Sequence, residues 1–207
     1  VEKEFKEFYT TEHLGQPAKI NYVVWSEVLI SPFSKEEIIY YDVAYDSING
    51  GIKETFNCPT TGAELKKSDC EKAYFTRFDK VIGQEVRQQK LVPVLINYTF
   101  KKKSYSKKPD SNDLGKISNI ENQDIPFWFP SYPIPKGEKT GEPIRAGFTH
   151  IHHLYFQRTL WSLSAILSKI DIKSTNDIHK LVLLTSSVNR NLFKGNRFII
   201  NKHNPHG

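Results

Sequence analysis

The chain has 207 residues, enough to bury a full core as one domain or as one domain with an elaborate insertion. Hydrophobic residues make up 38% and mean hydropathy is −0.50; no apolar run is long enough to cross a bilayer, and the charged opening "VEKEFKEFYT" lacks the apolar centre of a signal peptide. A net charge of +6 and a pI near 9.1 favour polyanionic partners, nucleic acid first among them.

Two cysteines, Cys58 and Cys70, are too few for a disulfide scaffold, so the expected compartment is a reducing cytoplasm. The chain opens on Val1 and contains no methionine, which is the expectation for an excised part of a longer protein.

In chain order, "NYVVWSEVLI" is rich in β-branched and aromatic residues and predicts a strand, and "EEIIYYDVAY" repeats that character after the breaker "SPFSK". Asn49-Gly50 in "DSINGG" predicts a turn, followed by a short strand "IKETF" and a second Pro-containing turn, "CPTTG". "AYFTRFD" and "QEVRQQKLVPVLINYTF" read as further strands, with Pro93 marking an edge or a bulge. A lysine-rich turn then leads into "SYSKKP" as its return strand. Asp110 or Ser111 is placed to cap a short helix through "NDLGKISNI".

"DIPFWFPSYPIPKGEKTGEP" carries five prolines and is expected to be a packed irregular loop around Phe127, Trp128 and Phe129. In "FTHIHHLYFQRTLWSLSAILSKI", Leu154, Trp161, Leu163, Ile166, Leu167 and Ile170 fit the apolar face of a helix. A second helix is expected from Thr175 or Asn176, and "NRFII" as a closing strand. The expected class is therefore α+β. Residues 1–125 form an antiparallel, ribbon-like β meander, residues 126–148 the Pro/aromatic loop, and residues 149–207 a helical part.

The turns "SPFSK" and "CPTTG" share a pattern: a small residue, then Pro, then a hydroxyl residue two positions later. A zinc ribbon uses two such knuckles to bring four ligands to one tetrahedral metal. The equivalent positions here are Ser31, Ser34, Cys58 and Thr61, one thiol and three hydroxyls, and Cys70 is too distant in sequence to join either turn. Hydroxyls at their ordinary pKa do not hold zinc as thiolates do, so no metal is expected. On spacing alone, two unrelated β-turns would look the same.

The flanks add to this. "NYVVWSEV", the two knuckles, "VPVLINY", "KKPDSNDL", "IPFWFP" with "PKGE", and "FTHIHHLYFQRTLWSLSAI" occur in that order. Together they resemble the recognition region of a family of bacterial and phage adenine-specific (N6) DNA methyltransferases. In that family the knuckles are usually intact Cys-Pro-x-Cys motifs, and a Thr-His-x-His-His-Phe-Tyr…Arg signature follows. The matching positions are Thr149, His150, His152, His153, Tyr155 and Arg158, with Leu154 in place of the phenylalanine. The resemblance spans about Tyr22 to Ser164. It implies a degenerate zinc ribbon whose vestigial ligand positions are Ser31, Ser34, Cys58 and Thr61, and a role in DNA target recognition within a restriction-modification type enzyme.

Such enzymes also carry an Asp/Asn-Pro-Pro-aromatic tetrapeptide for the flipped adenine and a Gly-rich turn for S-adenosylmethionine. Neither is present, and "NPHG" and "INGG" are not substitutes. The chain is therefore expected to hold no cofactor and to be inactive alone. The remainder of the methyltransferase would supply S-adenosylmethionine and the catalytic residues, and the expected partners are that core and double-stranded DNA, with no membrane.

Lys101, Lys102, Lys103, Lys107 and Lys108, with Tyr105 among them, form either a phosphate-binding hairpin or a tip kept polar for solubility. Arg87, Gln88, Gln89 and Asn97 have the chemistry to read guanine or adenine edges, or form an exposed polar strand face. His150, His152 and His153 stand at a helix entry, packing or meeting phosphate together with Arg158. A metal role lacks a carboxylate at matching spacing. No Ser-His-Asp or Cys-His arrangement is supported by spacing. Two other functions compete: a ribbon-derived protein-docking module in a restriction-modification complex, and a self-contained nuclease, for which the scattered carboxylates offer no cluster.

Overall fold

The computed structural model describes residues 5–138, 140–169 and 194. It is α+β, with antiparallel sheets in the N-terminal part and helices in the C-terminal part. Two compact units are present: residues 11–109 form one, and residues 5–10 with the described residues from Asp110 onward form the other. The expected helix after Asn176 and the strand "NRFII" lie outside the described residues. Among those that are described, no helix is long and apolar enough to cross a membrane.

The β unit is organised by two long strands. After β1 (Thr10–His13), β2 (Gln16–Ile30) runs 15 residues because alternate positions are apolar: Ala18 and Ile20 and, beyond an irregularity near Asn21, Val24 and Val28 are all buried. β3 (Glu37–Ile39) pairs with the end of β2. The expected long strand through "EEIIYYDVAY" stops there, and Tyr40–Ala44 forms a short helix, α1. Helical spacing turns Tyr40, Val43 and Ala44 onto one core, whereas a continued strand would have turned alternate residues to solvent. The Ser26 hydroxyl accepts the Tyr41 N–H at 2.9 Å, replacing a ladder bond at this switch. Packing here overrides β propensity.

β4 (Thr55–Asn57) and β5 (Glu64–Lys66) form a small hairpin around the second knuckle. The core beneath both knuckles contains Leu29, Ile38, Ala44, Phe56, Cys58 and Leu65. β6 (Glu71–Lys72) returns to β2. β7 (Tyr74–Asp79) and β8 (Gln84–Gln89) make a two-stranded ribbon. It leaves the main sheet where Ala73 N–H bonds Val28 C=O, Lys90 N–H bonds Ala73 C=O, and Val28 N–H bonds Lys90 C=O. β9 (Leu91–Phe100) then pairs along β2, with a register shift opposite Pro93 that accommodates the missing N–H as a bulge. β10 (Lys103–Lys107) closes the sheet, whose path is β1-β2-β9-β10.

In the helical unit, α2 (Ser111–Glu121) is capped reciprocally: Asp110 accepts the Asp113 N–H at 3.0 Å and Asp113 accepts the Asp110 N–H at 3.2 Å. After α3 (Gly141–Arg145), the expected helix entry "HIHH" is a 3-10 turn, Ile151–Leu154, and α4 begins only at Gln157 and runs to Ser168. Glu121 accepts the Gln157 N–H at 3.1 Å, placing a carboxylate at the start of α4. Leu160, Ser164 and Ala165 are buried, while Ile166 faces outward and Ile170 lies outside the described residues. Trp161 packs edge-on against Phe5 and Phe8, with centroids 6.2 and 5.1 Å away. In the Pro/aromatic loop Phe127 and Phe129 are half-buried, but Trp128 is exposed and is not core.

Candidate nucleic-acid interface

Phe100 pairs with Lys103, so only Lys101 and Lys102 connect β9 to β10. Their φ angles, +46° and +66°, are those of a type I′ turn, the two-residue connection that matches strand twist and usually takes Asn-Gly. Lysine at both positions accepts left-handed strain and places charge at the tip. Lys101, Lys102 and Lys103 are exposed, and among the described residues no carboxylate pairs with them.

The other hairpin candidates divide. Lys107 is half-buried, and Lys108 pairs with Asp42 of α1 at 2.9 Å. Tyr105 does not belong to the tip. Opposite Tyr98 in the ladder, it packs on the sheet's apolar side with its ring 4.5 Å from that of His13, whose Nδ1 lies 2.9 Å from the Tyr98 hydroxyl. The alternation of β10 sends Tyr105 into the core and its neighbours Ser104 and Ser106 to the other face.

That other face is polar. Asn97 donates through Nδ2 to Ser104 and Ser106 at 3.2 and 3.0 Å, and its Oδ1 accepts Asn21 Nδ2 at 2.8 Å. Thr99 Oγ1 donates to Asn21 Oδ1 at 3.0 Å, and exposed Lys19 stands opposite Thr99. A continuous strip of amides and hydroxyls thus leads across β2, β9 and β10 toward the lysine tip. Side chains of these types supply many of the hydrogen bonds that proteins make to phosphate oxygens and base edges.

On the β7–β8 ribbon, Arg87 is exposed and its guanidinium stacks 3.9 Å from the Tyr74 ring centroid. Gln88 and Gln89 are buried, so neither reaches a base edge in this structure. Gln89 Oε1 instead accepts Lys72 Nζ at 3.2 Å, and Lys67 with the charge of Lys72 helps to hold the Glu27 carboxylate's pKa down against burial, the largest single influence. In the helical unit, His152 and His153 are buried. His153 Nδ1 accepts the N–H groups of Thr149 and His150 at 3.2 and 3.3 Å, so it caps its own turn. His150 is half-buried, its Nδ1 3.0 Å from the Thr149 hydroxyl. Arg158 turns inward as well: it lies 5.2 Å over the Tyr9 ring, Nη1 donates to Phe8 C=O at 3.5 Å, and burial lowers its pKa. His150 and His153 order the turn before α4, and Arg158 packs on Tyr9 and Phe8.

The two knuckles have congruent backbones. Lys35 N–H bonds Ser31 C=O at 3.1 Å, and Gly62 N–H bonds Cys58 C=O at 2.8 Å. Each turn then closes a second time, Ser31 N–H to Glu36 C=O at 2.9 Å and Cys58 N–H to Ala63 C=O at 2.8 Å. Lys35 and Gly62 occupy the same left-handed position at +60° and +73°. The turns face each other: Cys58 Sγ lies 3.4 Å from Ser31 Oγ and 4.0 Å from Ser34 Oγ. These separations bracket the ~3.8 Å between thiolates bound about 2.3 Å from a tetrahedral zinc. The donors are those of a hydrogen-bonded pair. Ser31 Oγ accepts the Phe33 and Ser34 N–H groups, which directs its own proton toward the sulfur. Hydrogen bonds from Ser31, then Thr61 and the turn's backbone, lower the Cys58 pKa to about 6, with burial opposing. Thr60 donates to Glu36, a further link between the turns.

No protein-family model, curated protein or solved structure matches this chain.

Asn21, Thr99, Ser104, Ser106 and Tyr74 escaped the sequence reading of the interface. One signal was available. A two-residue turn at Lys101-Lys102 sets Ser104 opposite Thr99 and Ser106 opposite Asn97, so period-2 alternation alone places all four on one face.

Proposed function

We propose that the β unit recognises double-stranded DNA as the target-recognition part of an S-adenosylmethionine-dependent adenine-N6 DNA methyltransferase of the restriction-modification type. The observation that carries this reading is the exposed lysine trio at a strained type I′ turn, with no carboxylate partner among the described residues, continuous with the amide and hydroxyl strip of Asn21, Asn97, Thr99, Ser104 and Ser106. Lysines at the tip meet phosphates and the strip fixes register on the duplex. The congruent knuckles support descent from a zinc ribbon in which Ser31, Ser34 and Thr61 have replaced thiolates.

Base flipping, methyl transfer and S-adenosylmethionine binding fall to the remainder of the methyltransferase, since the adenine-binding tetrapeptide and the Gly-rich cofactor turn are missing from this sequence. The compartment that suits this role is the cytoplasm.

Mobility shift of mixed-sequence duplexes at low salt tests the reading. A retarded complex that weakens in the Lys101→Ala/Lys102→Ala/Lys103→Ala variant supports it. Absence of any complex with the wild-type chain sinks it. One observation favours a second reading, a module that docks a protein partner: Phe33 at the tip of the first knuckle is 63% exposed. Co-purification with a methyltransferase or endonuclease subunit, lost in Phe33→Ala while duplex binding is absent, would select that reading.

A further inference from the structure

Antiparallel pairing of β7 and β8 sorts their side chains by face. Tyr74, Thr76 and Phe78 share one face with Glu85, Arg87 and Gln89 of the partner strand. The face of Tyr74 is exposed at Thr76, Phe78, Glu85 and Arg87 and buried at Gln89; on the opposite face Val86, Gln88 and Asp79 are buried, and Phe75 and Gln84 are exposed. The face of Tyr74 belongs to a narrow two-stranded ribbon, an element that the major groove of B-DNA admits.

Arg87 is the chemically distinctive group on that face. Thr76 is its direct neighbour across the ladder, and Tyr74 sits on the diagonal. The 3.9 Å approach of the guanidinium carbon to the Tyr74 centroid is face-on contact. Stacking occupies the flat surface of the guanidinium and leaves its N–H edge open, and among the described residues no carboxylate or carbonyl takes those donors. A free arginine loses much rotamer freedom when it grips a base, and a ring beneath it removes part of that loss beforehand.

We infer that Arg87 is a specificity-determining residue that reads a guanine through O6 and N7 in the major groove, and that Tyr74 is the positioning residue holding it flat. This rests on the DNA-recognition reading above but concerns a different element from the lysine hairpin. The hairpin supplies affinity without sequence information, and the ribbon supplies discrimination. Gln88 and Gln89, the adenine-type readers of the same strand, are buried, which leaves Arg87 as its reader.

Selection of binding sites from a random duplex library by the full chain, followed by affinity measurement on the selected site and its single base-pair variants, tests the assignment. The expected wild-type motif contains a G·C pair whose replacement weakens binding roughly 5- to 150-fold, the range of one bidentate contact. Arg87→Ala and Arg87→Lys both flatten that one position, Lys despite keeping the charge. Tyr74→Phe retains the preference and Tyr74→Leu erodes it. Selective loss at one G·C pair is a readout that mere stabilisation of the ribbon would not produce. If Arg87→Ala keeps the full motif, or if the wild type binds through its lysines with no base preference, the assignment is wrong and the recognition reading loses only this reader. If the wild type binds no duplex at all, both fall.

Discussion

Left-handed residues close both the knuckles and the β9–β10 hairpin: Lys35 at +60° and Gly62 at +73°, against Lys101 at +46° and Lys102 at +66°. In the knuckles the polar atoms turn inward. Ser31 is buried, its oxygen takes two backbone N–H groups, and the cluster sits on the core of Leu29, Phe56 and Leu65. At the hairpin tip Lys101, Lys102 and Lys103 are exposed, and among the described residues no carboxylate pairs with them. One backbone device thus serves a core in one place and a solvent-facing charge in the other. Only in the second does strain persist without local compensation, the pattern expected where function opposes stability.

The comparison breaks most severely at the base of the knuckles. Leu29 is 1% exposed, and Leu29→Ala should cost about 2–5 kcal/mol in denaturant unfolding by leaving a cavity under both turns. The two turns should then respond with opposite signs at their matched position. Gly62→Ala should cost about 1–2 kcal/mol through backbone strain alone, because a Cβ there meets nothing within 4 Å. Lys35→Gly should be neutral or stabilising by up to about 1 kcal/mol, since relief of strain is partly offset by a freer unfolded chain.

Lys101→Asn/Lys102→Gly applies the same logic to the hairpin. It should raise stability by about 1 kcal/mol while weakening duplex binding, and thermal unfolding with binding measured in parallel checks both signs. Equal binding would detach strain from function.

A smaller effect concerns pH. The Cys58 thiol has a folded pKa near 6, below its unfolded value. Its ionisation therefore contributes stability that is present above the unfolded thiol pKa and is lost as pH falls through about 6. Stability should rise between pH 6 and 8, and Cys58→Ser should flatten that rise. Burial pushes the Cys70 pKa upward, so thiolate absorbance should show two separate steps, the earlier one missing in the variant.

Much of the β unit, and the start of α2, was legible because period-2 alternation in "NYVVWSEVLI" and "VPVLINYTF", the turn residues and the Asp110 cap are local signals. The switch from β3 to α1 was not: the β-branched and aromatic residues of "EEIIYYDVAY" favour a strand locally, and only the core on which Tyr40, Val43 and Ala44 pack at helical spacing decides otherwise. The candidate site was legible at the lysines, whose exposure follows from a two-residue turn. It was illegible at Gln88 and Gln89, neighbours on opposite faces of β8 that are both buried, because packing beyond the strand decides their exposure and no local alternation encodes it. The histidine run looked like a helix start, yet His153 hydrogen-bonds the amides of its own turn and α4 begins later.

The most direct test of the central claim, that the lysine hairpin anchors duplex DNA, is the slope of log Kd against log salt for the wild type and for Lys101→Ala/Lys102→Ala/Lys103→Ala. Three phosphate contacts predict a slope shallower by about 2.7 in the variant, with an unchanged unfolding midpoint. Equal slopes for the two chains would contradict the account.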